Sequence, residues 1–131
     1  MSSGWRIVFL LSGLGNLGNA LWMLADPYGW YVGLPAAVPD FGPYNEHFIT
    51  DVGAAYLALT ALAILALAWG DLRSCRLAGA GWAVFSAPHF LFHARHLDGL
   101  SSVDKVAELG TLGATLAAAI WLATPTREVD R

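Results

Sequence analysis

Residues 52–69 read VGAAYLALTALAILALAW, a run without a single charged side chain. At 1.5 Å per residue, a helix of about 18 such residues crosses roughly 30 Å of hydrocarbon. Lipid offers the backbone no hydrogen-bond partners, so a segment that enters it must close its own bonds as a helix. Three further runs are comparably long and apolar, Ile7–Leu24, Leu77–Ala94 and Val106–Ala123, the last with the single carboxylate of Glu108. The expectation is an all-α integral membrane protein, a four-helix bundle formed as one transmembrane domain over residues 1–131. Its helices are expected near 7–24, 46–69, 77–96 and 104–123.

The composition points the same way. The chain is 56% hydrophobic and 13% charged, with a mean hydropathy of +0.53, whereas a soluble domain carries roughly 25% charged residues. Six Trp, four Tyr and six Phe supply the aromatics that membrane proteins place at their interfaces. A net charge of -3 with no basic run gives no electrostatic footprint for nucleic acid, so DNA and RNA are excluded and membrane lipid is the expected surrounding. Cys75 is the only cysteine, which rules out an internal disulfide and a thiolate-only metal site.

The connections set the topology. Asp71–Arg76 and Leu97–Ser102 leave room only for tight turns, with Cys75 in the first of them, whereas the first connection, Asp26–Asn45, is long. It interleaves Pro27, Pro35, Pro39 and Pro43 with Tyr28, Trp30, Tyr31, Phe41 and Tyr44. Proline at that density argues against a regular helix, and the aromatics suit the headgroup layer. This segment is expected to be ordered across the mouth of a pocket, with an aromatic side chain touching the second or third helix. Arg6, Arg73, Arg76, Arg127 and Arg131 fall on one side and Arg95 and Lys105 on the other. The asymmetry places both termini, and Cys75, in the cytoplasm. Heavy use of Ala, Leu, Gly and Arg suits a multi-pass protein of a bacterial inner (plasma) membrane. Gly13, Gly15, Gly18, Gly110 and Gly113 provide small faces for helix packing, within one chain or in a homo-oligomer.

Polar residues recur at helical spacing. Ser12, Asn16 and Asn19 mark the first helix, Glu46, His47 and Asp51 the second, His89, His93 and His96 the third, and Asp104, Glu108 and Thr111 the fourth. Alternating helix direction brings all four sets into the outer half. An ionisable group at a helix centre costs roughly 2.5–3.5 kcal/mol on insertion, so these groups should turn inward and meet in one pocket. His89 and His93 lie one turn apart on one face, the spacing at which two imidazoles ligate one cation. His47, His96, Asp51 and Glu108 are the candidate ligands to complete the set, as in carboxylate–histidine helix bundles. Such a set suits zinc, iron or copper, so a transition metal is the expected cofactor, with a lipophilic substrate. Without a metal, Glu108 and Asp51 become the candidate catalytic acid and base of an isomerase-like reaction, moving a proton on a lipid-like substrate. Asn16, Asn19 and Tyr44 are the candidate contacts to a bound cofactor. Purely structural roles stay open: Asn16 and Asn19 as interhelical glue, His96 at a helix end, Asp104 with Lys105 as a surface pair.

The early Asp26-Pro27 and the Gly53–Leu59 segment GAAYLAL resemble the small bacterial DoxX-like membrane proteins, over Ile7–Ala123 in hydropathy and loop pattern. The resemblance implies an accessory subunit of quinone-linked sulfur oxidation, with a quinone or a partner enzyme. The set Glu46, His47, His89, His93 and His96 departs from that pattern.

Overall fold

The computed structural model describes residues 2–35 and 38–124. Five α-helices follow in order: α1 Ser3–Ala25, α2 Pro27–Gly33, α3 Glu46–Trp69, α4 Leu72–Arg95 and α5 Ser102–Ala123, with a 3-10 turn at Val38–Phe41 between α2 and α3. Each start is written in the sequence. Ser2, Asp26, Asn45, Asp71 and Ser101 each accept a backbone N–H of the first turn with a side-chain oxygen, satisfying a donor the helix cannot. Asp71 accepts from both the hydroxyl and the N–H of Ser74, and these bonds, the hydroxyl first, hold its carboxyl below the ordinary value. Its contribution to stability is therefore present above the unfolded carboxyl value and fades as pH falls through the lower folded one. Gly70, at φ 66, ends α3 in the left-handed conformation that glycine adopts freely.

This architecture confirms the all-α class and corrects the four-helix expectation. Five helices form because Pro27 does not break one. It occupies the first turn of α2, where its missing N–H costs nothing, and Asp26 caps that turn through the Gly29 N–H at 2.9 Å. Among the described residues three helices, not four, are long and apolar enough to cross a membrane: Ser3–Ala25, Glu46–Trp69 and Ser102–Ala123. α4 falls outside that set because Arg73, Arg76, Pro88, His89, His93 and Arg95 dilute its apolar character. Cys75 lies inside α4, fully buried, rather than in a turn. Its thiol is shielded whichever way the chain is inserted. Arg127 and Arg131 lie outside the described residues.

The spans present lipid-like surfaces outward. Leu11 and Leu14 of α1, Ile64 of α3 and Val106 of α5 are all more than half exposed. Among the described residues, such a density of exposed large hydrophobics is what a hydrocarbon solvent permits and water penalises.

α1 packs along α3, and α4 along α5. Gly13 meets Ala63, while Gly53 meets Met23 and Leu24, so α1 and α3 run antiparallel in close contact. α4 touches α5 where Gly79 faces the backbone at Leu122 and Ala123. The two pairs are joined by Phe9 edge-on to Trp82, with centroids 5.3 Å apart, and by Trp82 Nε1 donating to the Leu59 carbonyl at 3.0 Å. Around that junction Trp5, Phe9, Ala63, Cys75, Ala78, Ala119 and Leu122 form the main core. Met23, Trp30 and Ile49 form a smaller cluster towards the other end.

Gly79→Ala tests the close approach. Its Cβ would lie 2.7 Å from backbone atoms of α5, which cannot move aside as a side chain could. The substitution should cost about 1–3 kcal/mol, read as a lower thermal midpoint of the protein in detergent. Gly15→Ala has nothing within 4 Å to meet and should leave the midpoint unchanged or slightly raised.

Candidate functional site

Away from the Trp82 junction, α1, α3, α4 and α5 and the Pro27–Asn45 segment surround a cavity of about 630 Å³. Pockets that hold small molecules run from roughly 300 to 1,000 Å³. Met23, Ile49, Val52, Phe85 and Leu112 give it apolar walls, and Trp30, Leu34 and Phe41 close over it from the connecting segment. Asn19, Tyr56, His89, His93, Glu108 and Thr111 supply its polar points.

His93 and Glu108 meet across the α4–α5 contact. His93 Nδ1 lies 3.1 Å from Glu108 Oε2, with the side chains 14% and 8% exposed. The carboxylate sits off the ring N–H direction, so the buried Nδ1 forms no hydrogen bond among the described residues. Both side chains line the cavity wall. Their surroundings are aromatic. His89 stands edge-on to His93 with ring centroids 4.8 Å apart and stacks on Phe85 at 5.6 Å. Phe41 meets the His93 ring edge-on at 4.5 Å. Helical spacing puts His89 and His93 on one face, and α4 runs unbroken through Pro88.

The lid is tied at several points. Trp30 Nε1 donates to Asn19 Oδ1 at 3.1 Å, anchoring α2 on α1, while Asn19 Nδ2 donates to the Gly15 carbonyl. The Tyr31 hydroxyl donates to the Gly42 carbonyl at 2.7 Å. Tyr44 packs edge-on against Tyr28 and Tyr31 and is not part of the cavity wall. Desolvation first, and the nearby Glu46 and Asp26 carboxylates second, hold its hydroxyl above the ordinary tyrosine value.

The structure thus brings His89, His93, Glu108 and Asn19 to one cavity and leaves other expected site residues outside it. His47 Nε2 lies 3.4 Å from Asp51 Oδ2 on an exposed face of α3, with side chains 88% and 65% exposed. His96 caps the end of α4, its ring stacked on Phe92 and its Nδ1 2.8 Å from the Phe92 carbonyl. Asn16 does not line the cavity. Among the described residues, no group of three or more His, Cys, Asp or Glu side chains converges as a metal site requires.

No protein-family model matches the chain, and no curated protein or solved structure matches it. The geometry alone therefore carries the functional reading.

Sequence reasoning passed over Tyr56 as a functional residue. It lines the cavity from α3, packs edge-on against Phe85 at 5.3 Å, and has no hydrogen-bond partner for its hydroxyl among the described residues. The signal was present: a lone phenol within the otherwise apolar GAAYLAL segment. Phe41, Phe85 and Trp30 carried no such signal, because an aromatic residue reads alike in a wall, a core or an interface.

Asn19→Leu removes the acceptor for Trp30 Nε1 and should loosen α2. A lost hydrogen bond of about 1 kcal/mol corresponds to a roughly fivefold faster amide exchange over Trp30–Leu34. Asn16→Leu should leave that exchange unchanged.

Proposed function

We propose that the protein takes an apolar small molecule, of the lipid or quinone kind, into this cavity and meets its polar end with His93, Glu108 and Tyr56. The observation that carries the reading is the buried His93–Glu108 contact, set in a wall of aromatic and aliphatic side chains. Burying a carboxyl costs free energy unless it is paired or hydrogen-bonded, and the imbalance at His93 Nδ1 leaves a donor or acceptor for a ligand oxygen. The pair can also hold or pass one proton, so general acid–base chemistry on the ligand falls within its reach. Glu108 then takes the catalytic role weighed from sequence. In a DoxX-like setting, the same pocket serves an accessory subunit that presents a quinone to a partner oxidoreductase.

A transition metal is the second reading. His89, His93 and Glu108 share one wall, and imidazole with carboxylate suits zinc, iron or copper. It ranks below the metal-free reading because His47, Asp51 and His96 point to other surfaces.

Location follows from the distribution of charge. Arg6, Arg73 and Arg76 gather at the end holding the Trp5–Trp82 core, while Arg95 and Lys105 lie at the cavity end. In this reading the basic end, where Trp5 of α1 meets Trp121 of α5, faces the cytoplasm of a bacterial inner membrane, and the cavity lies in the outer half.

Two measurements test the reading. A short-chain quinone or a fatty alcohol should quench tryptophan fluorescence on binding. Glu108→Gln and Tyr56→Phe should each weaken binding by about tenfold, near 1.4 kcal/mol, whereas the exposed His47→Ala should not. Equal affinity in all variants defeats the proposal. Stoichiometric zinc, iron or copper in purified protein, lost in His93→Ala, puts the metal reading first.

A further inference from the structure

A second concavity lies at the opposite end of the molecule. Leu72, Arg73, Arg76, Leu77, Ala80 and Ala123 line a shallow groove of about 480 Å³ where the start of α4 meets the end of α5. Its lining combines the small residues Ala80 and Ala123 with the side chains of Arg73 and Arg76, and the Nε of Arg76 is buried with no hydrogen-bond partner among the described residues. The nearest carboxylate in sequence, Asp71, is turned onto Ser74 as the helix cap.

An exposed face of α4 runs on from the groove. Arg73, Leu77, Ala80 and Val84 follow at i, i+4, i+7 and i+11, one face of the helix, and Leu77 and Val84 are 62% and 76% exposed. A cationic end therefore leads straight into an outward-facing apolar stripe. Its depth is marked by exposed Trp69 and Trp121 at the same end, residues that favour the headgroup level.

We propose that this groove binds an anionic phospholipid, with the phosphate between the Arg73 and Arg76 guanidiniums and one acyl chain along Leu77, Ala80 and Val84. Guanidinium forks match phosphate oxygens, and Asp71, the nearest carboxylate in sequence, is engaged by Ser74. The positive end of the α4 dipole adds to the attraction, and the apolar stripe selects a lipid over a free phosphate. The site is independent of the cavity between the helices.

The test uses the full chain in nanodiscs of phosphatidylcholine, with and without a one-third share of phosphatidylglycerol. The anionic lipid should raise the thermal midpoint of the wild type by about 3–6 °C. The rise should vanish in R73Q/R76Q and persist in R95Q/K105Q, whose charges lie at the other end. Should the double variant fail to fold, Arg73→Gln alone, at an exposed position, should reduce the rise, and R73K/R76K should keep part of it. An undiminished rise in R73Q/R76Q or Arg73→Gln overturns the proposal. So does an equal rise when glycerol phosphate is added to phosphatidylcholine nanodiscs, which identifies a site for phosphate alone.

Discussion

Close backbone approach at a few glycines fixes where these helices touch, and by the same stroke where they part. Gly13 against Ala63 and Gly53 against Met23 hold α1 to α3 along their length, and Gly79 presses α4 onto the last turn of α5. In lipid no hydrophobic effect drives helices together, so small faces that permit dense van der Waals contact decide the geometry. Beyond these contacts the facing residues are large. Tyr56 opposes Phe85, and His93 opposes Glu108. Helices held tightly at one end and spaced by rings at the other leave a cavity between them.

The cavity inherits its chemistry from that spacing. Ring-sized side chains line it with apolar surface, and among its polar side chains His93 keeps a ring nitrogen without a hydrogen bond among the described residues. A buried imidazole nitrogen without a hydrogen bond and a carboxyl 8% exposed are costly in a low-dielectric interior. A molecule that brings an oxygen to them, or a proton shared between them, reduces that cost. Fold and candidate site are thus linked: the packing that stabilises one end leaves the other open and polar.

The segment between α1 and α3 completes the arrangement without regular length. Proline at the first turn of α2 and the Asp26 cap allow a short helix, and the Asn19–Trp30 bond ties it down. Phe41 then reaches the His93 ring from above. Phe41 and Trp30 thereby place aromatic surface over the cavity that holds the His93–Glu108 contact. Tyr28, Tyr31 and Tyr44 pack on one another at its outer edge.

The sequence by itself determined the all-α class, three of the four expected apolar spans and the start of α3 at Glu46, because length, hydropathy and capping residues act over one or two turns. It also placed His89 and His93 on one face, since helical periodicity is local. It did not reveal that Pro27 begins a helix, as proline density reads alike for a cap and a breaker. The lower apolarity of α4 was equally present in the sequence, where its histidines, proline and arginines lower the average over the whole span. Only the tertiary structure decided which polar residues meet. His47 and Asp51 share the favourable i, i+4 spacing of His89 and His93, yet the rotation of α3 against α1 turns them outward and brings Tyr56 in. That rotation is set by where Gly13 and Gly53 allow close contact. It is a property of paired surfaces that no single helix encodes.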